Sequence, residues 1–90
     1  MGIMAVTIKI MPESPETDLE KIKETIKKSL EENEGKNAEF EEEPVAFGLK
    51  AVIVKFWWPE DKEFEEFENS LKEIEGVSST ETIDLRRAVG

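Results

Sequence analysis

Hydrophobic and polar positions alternate at the start of the chain, which is the pattern of a half-buried β-strand. This first predicted strand covers residues 3–11, and its apolar face consists of Met4, Val6, Ile8 and Ile10. Three more strands are predicted at residues 38–43, 49–58 and 77–88. The strand at 49–58 is the most apolar of the four, so we expect it to lie inside the sheet.

Two other segments repeat their apolar residues every three or four positions, which is the spacing of one helix face. The first stripe consists of Leu19, Ile22, Ile26 and Leu30. The second stripe consists of Phe64, Phe67, Leu71 and Ile74. Each stripe predicts an amphipathic helix that packs one side against the sheet.

The sequence also carries start and stop signals for these helices. Residues 17–20 fit a capping box, with Ser14-Pro15 as an alternative start, and Asn33 and Gly35 are predicted to end the first helix. Glu60-Asp61 predicts the start of the second helix, because carboxylates are favourable near the positive end of the helix dipole. Gly76 is predicted to end it.

The predicted order of elements is β-α-β-β-α-β, in a single domain that covers residues 1–90. Right-handed crossovers place both helices on one face of a four-stranded antiparallel sheet, which is the ferredoxin-like α+β arrangement. The expected core consists of Val6, Ile8, Ile10, Ile22, Ile26, Leu30, Val52, Val54, Phe56, Phe64, Phe67, Leu71 and Ile74. The other face of the sheet is expected to be a mixed surface of Thr7, Lys9, Ile53, Lys55 and Trp57.

Composition narrows the chemistry that this fold can carry. The 90 residues include no cysteine and no histidine, which excludes disulfides, thiolate nucleophiles, histidine bases and Cys/His zinc sites, and we predict no cofactor. The net charge of −10 argues against direct nucleic-acid binding, which depends on Lys and Arg, and favours a basic partner. No apolar run approaches a membrane span, so we expect a cytoplasmic protein without membrane contact.

The connection between the two middle strands is unusually apolar for a surface loop. Pro44 cannot donate to a sheet ladder and Gly48 can take a positive φ. Between them lie Val45, Ala46 and Phe47. An aromatic side chain at a hairpin tip cannot easily reach its own core. Two alternatives remain open from the sequence: the loop folds back and buries Phe47, or Phe47 contacts a partner.

The only two arginines of the chain, Arg86 and Arg87, form a short cationic tail near the end of the sequence. They either pair with nearby carboxylates on the surface or reach an anion-binding pocket of a partner. The two adjacent tryptophans, Trp57 and Trp58, are interpreted as packing at a strand end rather than as a ligand platform.

A ferredoxin-like fold does not determine function, because it occurs in RNA-binding modules, acyl-phosphate hydrolases, metal chaperones and small-molecule sensors. The central strands lack the basic-aromatic signature of an RNA-recognition module. A metal chaperone would need cysteines, and residues 11–15 lack the glycine and the basic residue of a phosphate cradle. The sensor class stays open.

Several motifs resemble the archaeal elongation factor 1-beta family, the nucleotide-exchange factors of the translation GTPase elongation factor 1-alpha. The motifs are IKIMPESP at residues 8–15 with DLE at 18–20, EPVAFGL at 43–49, IEGVS at 74–78 and DLRR at 84–87. The similarity extends over the whole chain in length and element order.

The resemblance implies a protein that docks on elongation factor 1-alpha and promotes GDP release without bond chemistry. It implies partner contacts at residues 44–48, because related eukaryotic domains place an aromatic-glycine pair against the nucleotide domain of the GTPase. Those domains also direct a C-terminal lysine toward the magnesium and phosphate site, where this chain has Arg86 or Arg87. The alternatives are a small-molecule-binding regulatory domain of the same fold and a purely structural subunit.

Overall fold

The computed structural model describes residues 2–89, which form an antiparallel sheet of four strands packed against two helices. The strands are β1 (Ile3–Pro12), β2 (Lys36–Pro44), β3 (Lys50–Pro59) and β4 (Val77–Val89). The helices are α1 (Leu19–Glu32) and α2 (Glu65–Lys72), and a 3-10 turn covers Ala46–Gly48. The order across the sheet is β2-β3-β1-β4, so the predicted ferredoxin-like fold is confirmed. Neither α1 nor α2 is long and apolar enough to cross a membrane.

The hydrophobic core lies between one face of the sheet and the two helices. Every predicted core residue is buried except Phe64 and Ile74, which are half-buried and pack against the core. In the ladder between β1 and β3, the core-facing partners are Val6 with Phe56, Ile8 with Val54 and Ile10 with Val52. The predicted register of β3 is therefore confirmed. Trp58 and Val77 also belong to the core, although the periodicity did not place them there.

The face of the sheet opposite the helices is more buried at its centre than predicted. Ile53 is only 6% exposed, and Ala51 is fully buried. Ile53 lies on an inner strand, directly between Lys9 of β1 and Glu41 of β2. Long side chains in opposite positions of a sheet can cover their neighbour with aliphatic stems while their charged ends stay in water. Lys55 is exposed on this face, as expected.

Helix α1 begins later than either predicted start. Its N-cap is Asp18, whose carboxylate accepts hydrogen bonds from the backbone N–H groups of Glu20 at 3.1 Å and Lys21 at 3.3 Å. Thr17 is not the cap, because its Oγ1 already accepts a hydrogen bond from the Ser14 N–H at 3.2 Å. The hydroxyl that the capping-box motif assigned to the helix therefore stabilises the β1–α1 loop instead.

Two successive residues end α1, and each has a separate role. Glu34 takes the left-handed conformation, with a φ of 66°. The Gly35 N–H then donates to the Leu30 carbonyl at 2.7 Å. A Cβ on Gly35 would lie 2.6 Å from Leu30 Cδ2, which is too close for a real side chain. Gly35 follows the helix end as predicted, but glycine is needed there because Leu30 leaves no room for a side chain and not because of a positive φ.

Helix α2 begins at Glu65, so the predicted start at Glu60-Asp61 is wrong. The Glu60 N–H still belongs to the sheet end, because it donates to the Gly2 carbonyl at 2.9 Å. The chain then turns back over the strand, and Trp58 Nε1 donates to the Lys62 carbonyl at 3.0 Å. The long-range bond to Gly2 and the local bond to Lys62 hold the segment out of a helix until Glu65.

Candidate functional site

The connection between β2 and β3, which we call the tip (residues 44–48), is a tight turn closed by its own backbone. The Val45 N–H donates to the Leu49 carbonyl at 2.8 Å, and the Leu49 N–H donates to the Ala46 carbonyl at 3.3 Å. Phe47 and Gly48 are both left-handed, with φ values of 62° and 75°. Glycine adopts this conformation freely, whereas for phenylalanine it costs about 1–2 kcal/mol. The turn therefore holds its aromatic residue in a backbone state that this residue type avoids.

Phe47 projects into solvent. Its exposed fraction is 92%, the highest of any large apolar residue in the part of the chain that the structure describes. Pro44, Ala46 and Gly48 are also exposed, and Val45 is half-buried. Of the two alternatives that the sequence left open, the folded-back loop is the wrong one. An isolated apolar ring on a rigid turn is available to insert into a pocket of another protein.

The β1–α1 loop, residues 13–18, lies beside the tip. A Cβ placed on Gly48 would be 4.0 Å from Pro15 Cγ, which is ordinary van der Waals distance. A groove of about 300 Å³ is lined by Ser14, Pro15 and Asp18 from the loop side and by Glu42, Gly48 and Lys50 from the hairpin. Sequence reasoning missed this neighbourhood. The signal was the antiparallel pairing of β1 with β3, which brings the end of one strand to the start of the other.

Lys23 joins the base of the tip to α1. Its Nζ lies 2.7 Å from Glu42 Oε2 on β2 and 3.0 Å from Glu20 Oε2 on α1. The hydrogen bond to Glu42 is the main cause that raises the pKa of Lys23, and the same bond lowers the pKa of Glu42. Both groups are therefore charged at neutral pH. Their pairing attaches the edge strand to the helix close to the point where the tip begins.

Arg86 and Arg87 belong to β4, so they do not form the free tail that the sequence suggested. Arg86 Nη2 lies 2.8 Å from Asp84 Oδ2, and Arg87 Nη2 lies 2.5 Å from Glu60 Oε1. The hydrogen bond to Asp84 raises the pKa of Arg86. Both guanidinium groups are mostly exposed. Exposed ion pairs of this kind contribute little to stability and can be exchanged for contacts with a partner.

The tip and the two arginines lie at opposite ends of the sheet. The tip directly precedes Lys50, where β3 begins. Near the other end of β3, Trp57 lies opposite Ala5, and Ala5 lies opposite Arg86. The strand between Lys50 and Trp57 spans about 23 Å at the usual rise per residue. The structure thus brings residues 44–48 together as one surface and leaves the arginines on another.

The two adjacent tryptophans have different surroundings. Trp58 is 1% exposed and packs in an aromatic cluster, with its ring centroid 4.7 Å from that of Phe67 and 5.6 Å from that of Phe64. The predicted packing role is therefore confirmed for Trp58. Trp57 points to the other face of the sheet and is 39% exposed.

Comparison with known proteins identifies one matching family over almost the whole length of the chain. Residues 5–88 match the family model described as the EF-1 guanine nucleotide exchange domain. The chain is 42% identical over 88 residues to elongation factor 1-beta of Methanothermobacter thermautotrophicus, covering 97% of this chain and 98% of that one. Identity to elongation factor 1-beta of Nanoarchaeum equitans is 44% over 82 residues, covering 90% and 100%. For the same factor of Methanocaldococcus jannaschii it is 40% over 89 residues, covering 98% and 100%.

Proposed function

The chain belongs to the family of EF-1 guanine nucleotide exchange domains, and we propose that it promotes GDP release from elongation factor 1-alpha in cytoplasmic translation elongation. Its activity is to change how tightly the GTPase holds its nucleotide, so no bond is made or broken. The similarity to elongation factor 1-beta proteins, which extends over nearly the full length of both chains, supports this proposal.

The exposure of Phe47 is the observation that carries the proposal. A ring that is 92% exposed contributes almost no burial to the fold of this domain. It nevertheless sits at a left-handed position whose turn is closed by two backbone hydrogen bonds. A side chain that is costly to hold and does not stabilise its own core is well explained by a contact with a partner. The rest of the tip, Pro44, Val45, Ala46 and Gly48, presents this ring.

The thermodynamic requirement is simple. An exchange factor must bind the nucleotide-free GTPase more tightly than the loaded form, and by reciprocity it then weakens nucleotide binding by the same factor. Each tenfold weakening requires about 1.4 kcal/mol of differential binding. A buried aromatic anchor at a protein interface is typically worth about 2 kcal/mol or more. Phe47 inserted only in the nucleotide-free complex would therefore account for more than a tenfold effect.

Arg86 and Arg87 supply a second contact in this proposal. They are about 23 Å or more from the tip along the strands, so the two groups engage separate parts of the GTPase. A guanidinium is a planar donor that suits phosphate and carboxylate oxygens. The arginines act on the nucleotide side of the interface, where they compete with magnesium for those oxygens.

The direct test is release of fluorescent GDP from archaeal elongation factor 1-alpha, measured with and without this chain. We expect the chain to accelerate release at substoichiometric amounts, because an exchange factor turns over. Phe47→Ala should lose most of this acceleration. A wild-type chain that neither accelerates release nor binds nucleotide-free GTPase would overturn the proposed function.

A further inference from the structure

The tip alone is too small to form a stable protein contact. A stable interface buries about 800 Å² on each partner and involves about 20–30 residues a side. An aromatic side chain supplies only about 150–250 Å² of that area. Even with its four companions in residues 44–48, Phe47 needs neighbouring surface, and that surface must be continuous with the tip.

The β1–α1 loop is the surface that satisfies this condition. Pro15 is exposed, and its Cγ would lie 4.0 Å from a Cβ placed on Gly48, so the loop and the tip border each other. The groove of about 300 Å³ between them is lined by both segments. A partner that receives Phe47 therefore meets Pro15 in the same contact.

The loop is also rigid before any partner arrives. The Glu13 N–H donates to the Gly76 carbonyl at 2.8 Å, which attaches the loop to the segment before β4. The Thr17 N–H donates to the Ser14 carbonyl at 3.2 Å, and the Glu16 N–H donates to Ser14 Oγ at 3.3 Å. The hydroxyl side chains of Ser14 and Thr17 bond within the loop, whereas Pro15 and Glu16 between them are exposed. Pre-ordered segments lose little entropy on binding, which favours a contact role.

We infer that Pro15 and Glu16 of the β1–α1 loop extend the Phe47 contact with the translation GTPase, and that the GTPase presents an apolar recess with a basic rim there. The inference rests on the proposed function. The apolar recess of the GTPase is inferred from the apolar surface that Pro15 and the tip present. The basic rim follows from charge, because acids outnumber lysines at this end. The exposed acids include Glu13, Glu16 and Glu43, and the nearby lysines are Lys21, Lys23 and Lys50.

Two single charge-reversal variants test whether the GTPase has a basic rim at this contact. Glu16→Lys changes a carboxylate of the loop, and Glu31→Lys makes the same change on an exposed position of the last turn of α1. Association with nucleotide-free elongation factor 1-alpha is measured by stopped flow at low and high salt. We expect Glu16→Lys to slow association about tenfold at low salt, with the effect shrinking at high salt, because rim charges act on encounter. Glu31→Lys should stay near wild type.

Pro15→Ser tests the apolar half, because it removes the ring and leaves the charge unchanged. We expect the Kd for the nucleotide-free GTPase to rise several-fold, while the urea midpoint for unfolding stays close to wild type. Phe47→Ala is measured in parallel as the reference for the tip. If Phe47→Ala weakens binding while Glu16→Lys matches Glu31→Lys and Pro15→Ser binds normally, the loop lies outside the interface and only this inference fails. If wild type itself does not bind, the proposed function fails with it.

Discussion

Lys23 Nζ lies 2.7 Å from Glu42 Oε2, and this ion pair connects α1 to edge strand β2 just before the tip begins. Glu20 on the same helix approaches the same ammonium group to 3.0 Å. Without Lys23, the carboxylates of Glu20 and Glu42 would face each other across the helix-strand boundary. The lysine thus bridges two acids at the base of the exposed Phe47 turn and reduces the repulsion between them.

Lys23→Met should destabilise the fold slightly at pH 7 and lose that effect in acid. The lowered pKa of Glu42 means that its pairing stabilises the fold fully above the ordinary value of 4.5 and is lost as pH falls through the lowered folded value. The raised pKa of Lys23 keeps the lysine charged throughout this range. Urea unfolding at pH 7 and pH 3 measures the difference, with Lys27→Met, an exposed lysine of α1, as the control. A loss of unfolding free energy in Lys23→Met that is equal at pH 7 and pH 3 would contradict the ion-pair explanation.

Gly35→Ala should destabilise the protein by about 1–3 kcal/mol, the usual cost of forcing a methyl group into a packed site. The added Cβ would meet Leu30 Cδ2 at 2.6 Å. The neighbouring change Glu34→Gly should be neutral or stabilising, because glycine accepts the φ of 66° that glutamate holds at a cost. Equilibrium urea unfolding of both variants decides the matter. The opposite order of stabilities would mean that helix α1 ends differently.

The two adjacent tryptophans should respond very differently to truncation. Trp58→Ala removes a buried ring of the aromatic cluster and its hydrogen bond to the Lys62 carbonyl, so we expect a loss of about 3–5 kcal/mol. Trp57→Ala changes a partly exposed ring and should cost roughly 1 kcal/mol. Thermal and urea unfolding of the two single variants gives the comparison. Similar losses at the two positions would mean that Trp57 is packed as well.

Phe47→Ala should leave the free energy of unfolding within about 0.5 kcal/mol of wild type, because the ring is exposed. Stimulation of GDP release should fall by about tenfold or more, the loss expected for an aromatic anchor. Phe67→Ala is the matched control, because its buried ring should cost about 3–5 kcal/mol of stability. A Phe47→Ala variant that is destabilised as much as Phe67→Ala would make Phe47 a core residue.

The elements of this fold could be predicted from the sequence because their signals are local. Alternation in residues 3–11 and the helical stripe from Leu19 to Leu30 reflect burial on one face, and both elements occur where they were expected. The predicted helix starts were wrong where a group outside the helix decides them. The Glu60 N–H bonds to the Gly2 carbonyl at the end of the sheet, and Thr17 Oγ1 already accepts a hydrogen bond from the Ser14 N–H. Neither partner can be identified from helix signals alone.

The candidate site was predictable only in part. The apolar composition between Pro44 and Gly48 marked the tip, but the choice between a buried and an exposed Phe47 depends on the turn geometry, which two backbone hydrogen bonds determine. The separation of the tip from Arg86 follows from the register of β4 on β1, which places Arg86 opposite Ala5, at the end of β1 far from the tip. Periodicity carries no information on that distance.

Replacing Arg86 and Arg87 together should reduce exchange more than binding. Both arginines lie in a strand that pairs with β1, so truncation would disturb the sheet, whereas the double change Arg86→Gln with Arg87→Gln removes only the charges. We expect GDP release to slow about tenfold, which corresponds to about 1.4 kcal/mol of transition-state stabilisation. Affinity for the nucleotide-free GTPase should change less, because the tip contact at the other end of the sheet is intact.

Magnesium distinguishes a nucleotide-side role from a general charge effect. If the guanidinium groups compete with magnesium for phosphate and carboxylate oxygens, raising magnesium should oppose exchange by the wild-type chain and matter less for the double variant. The control replaces two exposed lysines of α1, Lys27→Gln with Lys28→Gln, which changes the net charge by the same amount. Release kinetics across a magnesium series, with binding measured in parallel, supply the test. Equal release rates for wild type and the arginine variant at matched occupancy would remove both arginines from the mechanism and leave the Phe47 end of the molecule as the part that drives exchange.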